Sequence, residues 1–168
     1  TGCEMQPYTH HETQHTAGPG RPMNRIRVLI VDEHLAVRRA LAARLQSFPH
    51  IEVVATARDF REGLEQAQTL RPDVVLLELK GASSLQPDSV GEMNLALSGH
   101  PAGIIVLTSY ADDAEREAAL EAGARRYLLK HIDTARLLTE IEAVAAEAAD
   151  QAGPDVVDGV DGVDGVHA

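Results

Sequence analysis

Six residues with reactive or charged side chains stand at the ends of short apolar runs. Asp32 and Glu33 follow the run Ile26 to Val31, and Glu78 lies near the end of DVVLLEL, Asp73 to Leu79. Thr108 and Ser109 close GIIVLT, which begins at Gly103, and Lys130 follows Arg126 to Leu129. Taken singly, each has an ordinary explanation: a helix cap, a half-buried strand residue, a solvated lysine. Taken together they offer three carboxylates, hydroxyls and an ammonium. Carboxylates crowded into one site demand a cation, either Mg²⁺ or the lysine itself.

That chemistry requires the runs to lie side by side. The runs Ile26 to Val31, Ile51 to Ala57, Asp73 to Leu79, Gly103 to Thr108 and Arg126 to Leu129 are short and apolar, as buried parallel strands are. Helical segments separate them. Leu35 to Phe48 places Val37, Leu41, Leu45 and Phe48 at helical spacing before Pro49. Asp59 caps a segment running to about Leu70, where Arg71-Pro72 breaks it. A weaker helix covers Asp88 to Leu97 after a polar loop, Lys80 to Pro87. Asp112 to Ala122 is closed by Gly123, and Asp133 to about Ala149 forms the last helix. Strands alternating with helices predict an α/β, doubly wound, five-stranded parallel sheet with right-handed crossovers. In such a sheet, functional side chains gather at the carboxyl ends of the strands.

The composition limits the function. The chain has 168 residues, of which 44% are hydrophobic and 3% aromatic, with no Trp. This suits one aliphatic core in a domain of ordinary size. The formal net charge of -11 disfavours direct binding to nucleic acid or to an anionic membrane surface. A single cysteine, Cys3, allows no internal disulfide, and no apolar run approaches membrane-spanning length. A cytoplasmic location follows as the expectation. Residues 1–23 are polar, with Gly and Pro clustered at the end, and read as a disordered N-terminal extension. His11 and His15 within it would share one face of a helix and could hold a metal; a flexible His-bearing extension is the plainer reading. Residues 150–168, with three successive Val-Asp-Gly triplets, read as an acidic disordered tail. The domain proper spans 24–149.

Four stretches carry a resemblance to a known family. RVLIVDEH (Arg27 to His34), RPDVVLLEL (Arg71 to Leu79), IIVLTSYADD (Ile104 to Asp113) and EAGARRYLLK (Glu121 to Lys130) resemble the response-regulator receiver domains of two-component signalling. The resemblance implies a flavodoxin-like strand order 2-1-3-4-5. It implies that Asp32 and Glu33 are the acidic pair that holds Mg²⁺, and that Glu78 occupies the phosphoacceptor position, where relatives carry aspartate. Thr108 would be the hydroxyl that contacts the phosphoryl group. Lys130 would be the lysine that pairs with phosphoaspartate, and Tyr127 the aromatic that moves on activation. The last two helices and the fifth strand would form the contact face for a protein partner, a second copy or a histidine kinase.

Departures from the pattern shape the expected function. Glutamate moves the carboxylate outward by about 1.5 Å, and an error of about 1 Å costs roughly a hundredfold in rate. The loop after Leu79 is longer than the family's and lacks its Met-Pro pair, so Mg²⁺ binding is expected to be weak or absent. After Lys130 too little chain remains for a helix-turn-helix domain. These features describe a stand-alone pseudo-receiver, without enzymatic activity or cofactor, that signals through protein contacts. Glu78 would then be a permanent partial mimic of the phosphorylated state or the mark of a site that no longer switches. A phosphorylation-dependent receiver is the alternative. A small phosphohydrolase using Asp32 as nucleophile is a third reading, opposed by His34 where that chemistry places a second aspartate. If the two ends are dispensable, deleting Thr1 to Met23 and Asp155 to Ala168 leaves the melting temperature unchanged, as calorimetry would show; a fall of many degrees means that an end packs on the core.

Overall fold

The computed structural model describes residues 24–79 and 88–153. The N-terminal extension, the loop from Lys80 to Pro87 and the Val-Asp-Gly tail lie outside them. Five strands, β1 (Ile26–Val31), β2 (Ile51–Ala57), β3 (Val74–Leu77), β4 (Gly103–Thr108) and β5 (Arg126–Leu129), alternate with α1 (Leu35–Gln46), α2 (Phe60–Leu70), α3 (Ser89–Ala96), α4 (Asp113–Glu121) and α5 (Thr134–Gln151). All strand pairs are parallel, in the order β2-β1-β3-β4-β5. The expected sheet and its expected order are therefore present.

Strand alternation builds two cores from one sheet. In β1, β3 and β4, Leu29, Val31, Val75, Leu77, Ile104 and Val106 face one side, where Ala67, Val90, Met93 and Ala119 of α2, α3 and α4 cover them. Val28, Ile30, Val74, Leu76, Ile105 and Leu107 face the other, under Leu41 and Leu45 of α1 and Leu137, Ile141 and Val144 of α5. Burial on both faces explains why the central strands are continuously apolar rather than alternating. Branched aliphatics fill both layers, and Met93 is fully buried among them.

Several element ends differ from the sequence expectation. α1 ends at Gln46 rather than Phe48, because the chain already turns at Ser47, whose N–H bonds to Leu45 O. β3 is shorter than Asp73 to Leu79, and Asp73 instead accepts a bond from the Arg27 N–H through its side chain. α5 continues to Gln151, so Asp150 and Gln151 belong to the helix and not to the acidic tail; Ala148 is buried, and the Gln151 side chain bonds to Arg125. Aspartate side chains cap the starts of α2, α4 and α5: Asp59, Asp112 and Asp133 accept from the backbone N–H of Glu62, Glu115 and Arg136.

One glycine fixes how closely a helix approaches the site-bearing strand. A Cβ on Gly63 of α2 would stand 2.8 Å from Val31 Cγ2, and Val31 directly precedes Asp32. Alanine has the better helix propensity by about 1 kcal/mol, but overpacking a core costs about 1–3 kcal/mol. Gly63→Ala is thus expected to lower stability in urea unfolding. Adding Val31→Ala relieves the clash, so the double variant should lose less than the sum of the two single losses; strict additivity would contradict this packing.

Candidate functional site

The strand register brings three acids and bases to one level. Val31 of β1 stands beside Leu77 of β3, so Asp32 and Glu78 leave neighbouring strands together. Thr108 of β4 pairs with Leu129 of β5, and the Lys130 N–H then bonds to Thr108 O at 2.8 Å. Lys130 starts two strand spacings from β3, about 9–10 Å, so only a long side chain can cross β4 to the carboxylates. It does cross: Lys130 Nζ lies 2.6 Å from Asp32 Oδ2 and 2.5 Å from Glu78 Oε1. The three side chains are 3%, 5% and 12% exposed for Asp32, Glu78 and Lys130.

Burial and charge divide the two carboxyls. Burial alone would raise Asp32, but the Lys130 ammonium and the His34 backbone N–H outweigh it and hold Asp32 below the usual carboxylate range. Burial also raises Glu78, and the neighbouring Asp32 charge adds to it, so Glu78 sits above its usual range despite Lys130. Asp32 is thus the more acidic of the pair, and Glu78 accepts a proton first.

The turn after β1 is tied down locally. Asp32 Oδ1 accepts the His34 N–H at 2.8 Å, closing an Asx turn, and Arg38 Nη1 donates to the carbonyls of Asp32 at 2.6 Å and Glu33 at 3.0 Å. This folds the His34 ring back over the carboxylates. Its Nδ1 lies 3.3 Å from Asp32 Oδ1 and 3.6 Å from Glu78 Oε2. From sequence, His34 bears only on the phosphohydrolase alternative, and Arg38 is not singled out. An Asp two residues before a His at a strand end is the Asx-turn signal that could have found it.

The other expected site residues are placed differently. Glu33 is 40% exposed, and its Oε1 lies 3.8 Å from His34 Nε2 rather than joining Asp32 around a common point. Among the described residues, the group whose ligand atoms could surround one ion is Asp32, His34 and Glu78, all within 4.8 Å of one another. Thr108 is fully buried, and its Oγ1 donates to Tyr110 O at 3.0 Å, so the hydroxyl serves its own loop. Tyr127 is half-buried and donates its hydroxyl to Glu115 Oε1 of α4 at 2.7 Å; burial and that carboxylate push its phenol up to about 12. Arg126 is clamped to α5 by Glu140 and Glu147, each at 2.6 Å.

The family model of the response regulator receiver domain matches residues 28–142. The chain belongs to the response regulator receiver family. The transcriptional regulatory protein LiaR of Bacillus subtilis is 40% identical over 120 residues, covering 71% of this chain and 56% of that protein. A protein-glutamate methylesterase/protein-glutamine glutaminase of Geobacter sulfurreducens is 32% identical over 108 residues, covering 64% of this chain and 28% of that protein. The crystal structure of a two-component response regulator of the LuxR family from Aurantimonas superposes with a TM-score of 0.66 at 27% identity, over 76% of this chain and 95% of that one. The receiver thus spans about half the length of the first of these relatives and less of the second. No helix among its described residues is long and apolar enough to cross a membrane.

The carboxyl pair around Lys130 makes a stability prediction. Asp32 has its folded value lowered, so its contribution is complete above the unfolded carboxylate range and is lost as pH falls through the folded value. Glu78 has its folded value raised, so its proton favours the folded state and that advantage is lost as pH rises through the folded value. Asp32→Asn should therefore cost about 1–3 kcal/mol at neutral pH and less in acid, while Glu78→Gln costs less than Asp32→Asn at neutral pH. Lys130→Ala strands two buried carboxyls, and its loss should be non-additive with that of Glu78→Gln. Urea unfolding of the variants checks both statements; equal costs at neutral pH with additive doubles would contradict the site.

Proposed function

We propose that this receiver acts as a signalling module through protein–protein contact, in a state held by Lys130 between Asp32 and Glu78 and independent of aspartyl phosphorylation. The observation that carries the reading is the Lys130 ammonium within 2.6 Å of both buried carboxylates. Glu78 carries its charge about 1.5 Å farther along the chain than aspartate would, which lets it meet Lys130 directly. A phosphoryl donor would have to displace that ion pair, and the nucleophile would approach from a shifted origin, where about 1 Å matters roughly a hundredfold.

Mg²⁺ binding is weak or absent in this reading. Magnesium takes near-octahedral oxygen ligands and gives up water reluctantly. Here the ammonium holds Oδ2 of Asp32 and Oε1 of Glu78, the third atom facing the remaining oxygens is a ring nitrogen, and the Glu33 carboxylate stands toward His34. The side chains therefore do not fit Mg²⁺.

The contact surface in this reading is the face of α4, β5 and α5. Arg126 and Arg125 lean on Glu147 of α5, and Tyr127 is tied to Glu115 of α4, so α4 and α5 are both latched to the edge strand. The partner is a protein: a second copy, a histidine kinase or another regulator. The receiver itself carries no catalysis, and neither nucleic acid nor membrane is its direct partner. It works in the cytoplasm.

Two measurements test this. Incubation with acetyl phosphate and Mg²⁺ should leave the intact mass unchanged, whereas Glu78→Asp, which shortens the arm, should gain one phosphoryl group. A stable adduct on the unaltered receiver would overturn independence from phosphorylation. Calorimetric titration with Mg²⁺ should give no submillimolar site that Asp32→Ala abolishes.

A further inference from the structure

The turn after β1 and the end of β3 leave two carboxylate oxygens that Lys130 does not hold on the same side of the pocket, and of these Asp32 Oδ1 also accepts the His34 N–H. Lys130 takes Oδ2 of Asp32 and Oε1 of Glu78, so Oδ1 and Oε2 point away from the ammonium toward His34. Glu78 Oε2 is buried and makes no hydrogen bond among the described residues. A buried carboxylate oxygen with no donor is costly unless something cationic meets it. The atom it faces is His34 Nδ1 at 3.6 Å, and that nitrogen faces Asp32 Oδ1 at 3.3 Å.

We propose that Asp32 Oδ1, His34 Nδ1 and Glu78 Oε2 form a site for a divalent transition ion of the zinc type. Zinc–nitrogen and zinc–carboxylate bonds of about 2.0–2.2 Å in a tetrahedral array set neighbouring donors about 3.3–3.6 Å apart. The two donor separations at His34 have that length, and all three ligand atoms lie within 4.8 Å of one another. The donor set fits the ion class: imidazole with carboxylates suits zinc and its neighbours, whereas magnesium takes oxygen alone and thiol-seeking copper has no sulfur here. The far ring nitrogen, Nε2, lies 3.8 Å from Glu33 Oε1. A carboxylate behind a ligating histidine orients the ring and raises its basicity. The acidic residue that stood in the sequence as a metal ligand thereby becomes the residue that steers one.

Charge and access favour the same ligand. Asp32 and Glu78, when both are ionised, outnumber the one ammonium of Lys130 between them, and a cation offsets that balance. The His34 side chain is 58% exposed, so the ion can enter from solvent and keep a water at its fourth position. The ring is pre-set for this by the Asx turn and by the two Arg38 bonds to the turn carbonyls. The site goes beyond the signalling reading and does not depend on whether the receiver takes up a phosphoryl group.

The test uses the full chain with Co²⁺ as a spectroscopic probe and Zn²⁺ as competitor. His10, His11 and His15 are replaced by alanine in a parallel background so that they cannot supply the signal. In both backgrounds Co²⁺ should give the intense visible absorption of a four-coordinate nitrogen–oxygen site, and Zn²⁺ should abolish it. His34→Ala, at an exposed position that leaves the fold intact by circular dichroism, should remove the band and weaken Zn²⁺ binding at least about tenfold; Glu33→Gln should weaken it less than His34→Ala does. Lys130→Met, which takes a competing cation from the same carboxylates, should strengthen it. The proposal is overturned if Co²⁺ gives no such band, if His34→Ala leaves band and affinity unchanged, or if the signal disappears with His10, His11 and His15 alone. The adduct mass measured without Zn²⁺ reports separately on phosphorylation, so failure of one reading is distinguishable from failure of the other.

Discussion

A charged ammonium enclosed by two carboxyls constrains everything else in this receiver. Lys130 is nearly buried, and removing such a charge from water is expensive unless anions meet it at close range. Both anions come from other strands, so β1, β3 and β5 must end at matching heights. The parallel register supplies this, with Val31 beside Leu77 and Thr108 beside Leu129. The aliphatic layers above and below the sheet fix that register, because a slip by one residue would exchange the two core faces.

Within that frame the glutamate at position 78 changes what the pocket holds. Its extra methylene lets one oxygen reach the ammonium, while the other is left facing His34. The two carboxyls also part company in acidity, because Asp32 receives the backbone N–H of the Asx turn as well as Lys130, and Glu78 receives neither that bond nor relief from the Asp32 charge. The pocket is therefore an asymmetric pair around one cation, with the oxygens that Lys130 does not hold facing His34.

The opposite edge of the sheet is held by a different set of charges. Arg126 lies between Glu140 and Glu147, whose carboxylates keep its guanidinium above its already high range, with Glu147 the stronger influence. Tyr127 reaches the other way to Glu115. Neighbouring residues of one short strand thus fasten α5 and α4, and the Lys130 backbone continues the same strand into the pocket. The bond from Lys130 N to Thr108 O joins the two regions through β4. A change in how Lys130 is held has a short covalent path to the face formed by α4, β5 and α5.

The sequence by itself determined the architecture and most of the membership of the site. Five apolar runs with helical segments between them leave little choice but a parallel sheet, and the carboxyl end of such a sheet is where Asp32, Glu78 and Lys130 had to meet. The aspartates at positions 59 and 112 marked helix starts for the same local reason, a side-chain oxygen within reach of a free N–H. Tertiary structure decided how the side chains divide the work. Whether Lys130 takes one carboxylate or two depends on distances across three strands, which spacing along the chain does not encode. Glu33 adjoins Asp32 in sequence, yet consecutive residues leave a turn in different directions, and Glu33 stands toward the His34 ring instead. Thr108 ends the right strand, but a hydroxyl rotates to whichever acceptor lies nearest, and here that is the carbonyl of Tyr110. His34 entered the site because the backbone folds on itself within two residues of Asp32. Such a turn is read easily from coordinates and only faintly from sequence, since its signal is the type and spacing of two residues and not a period.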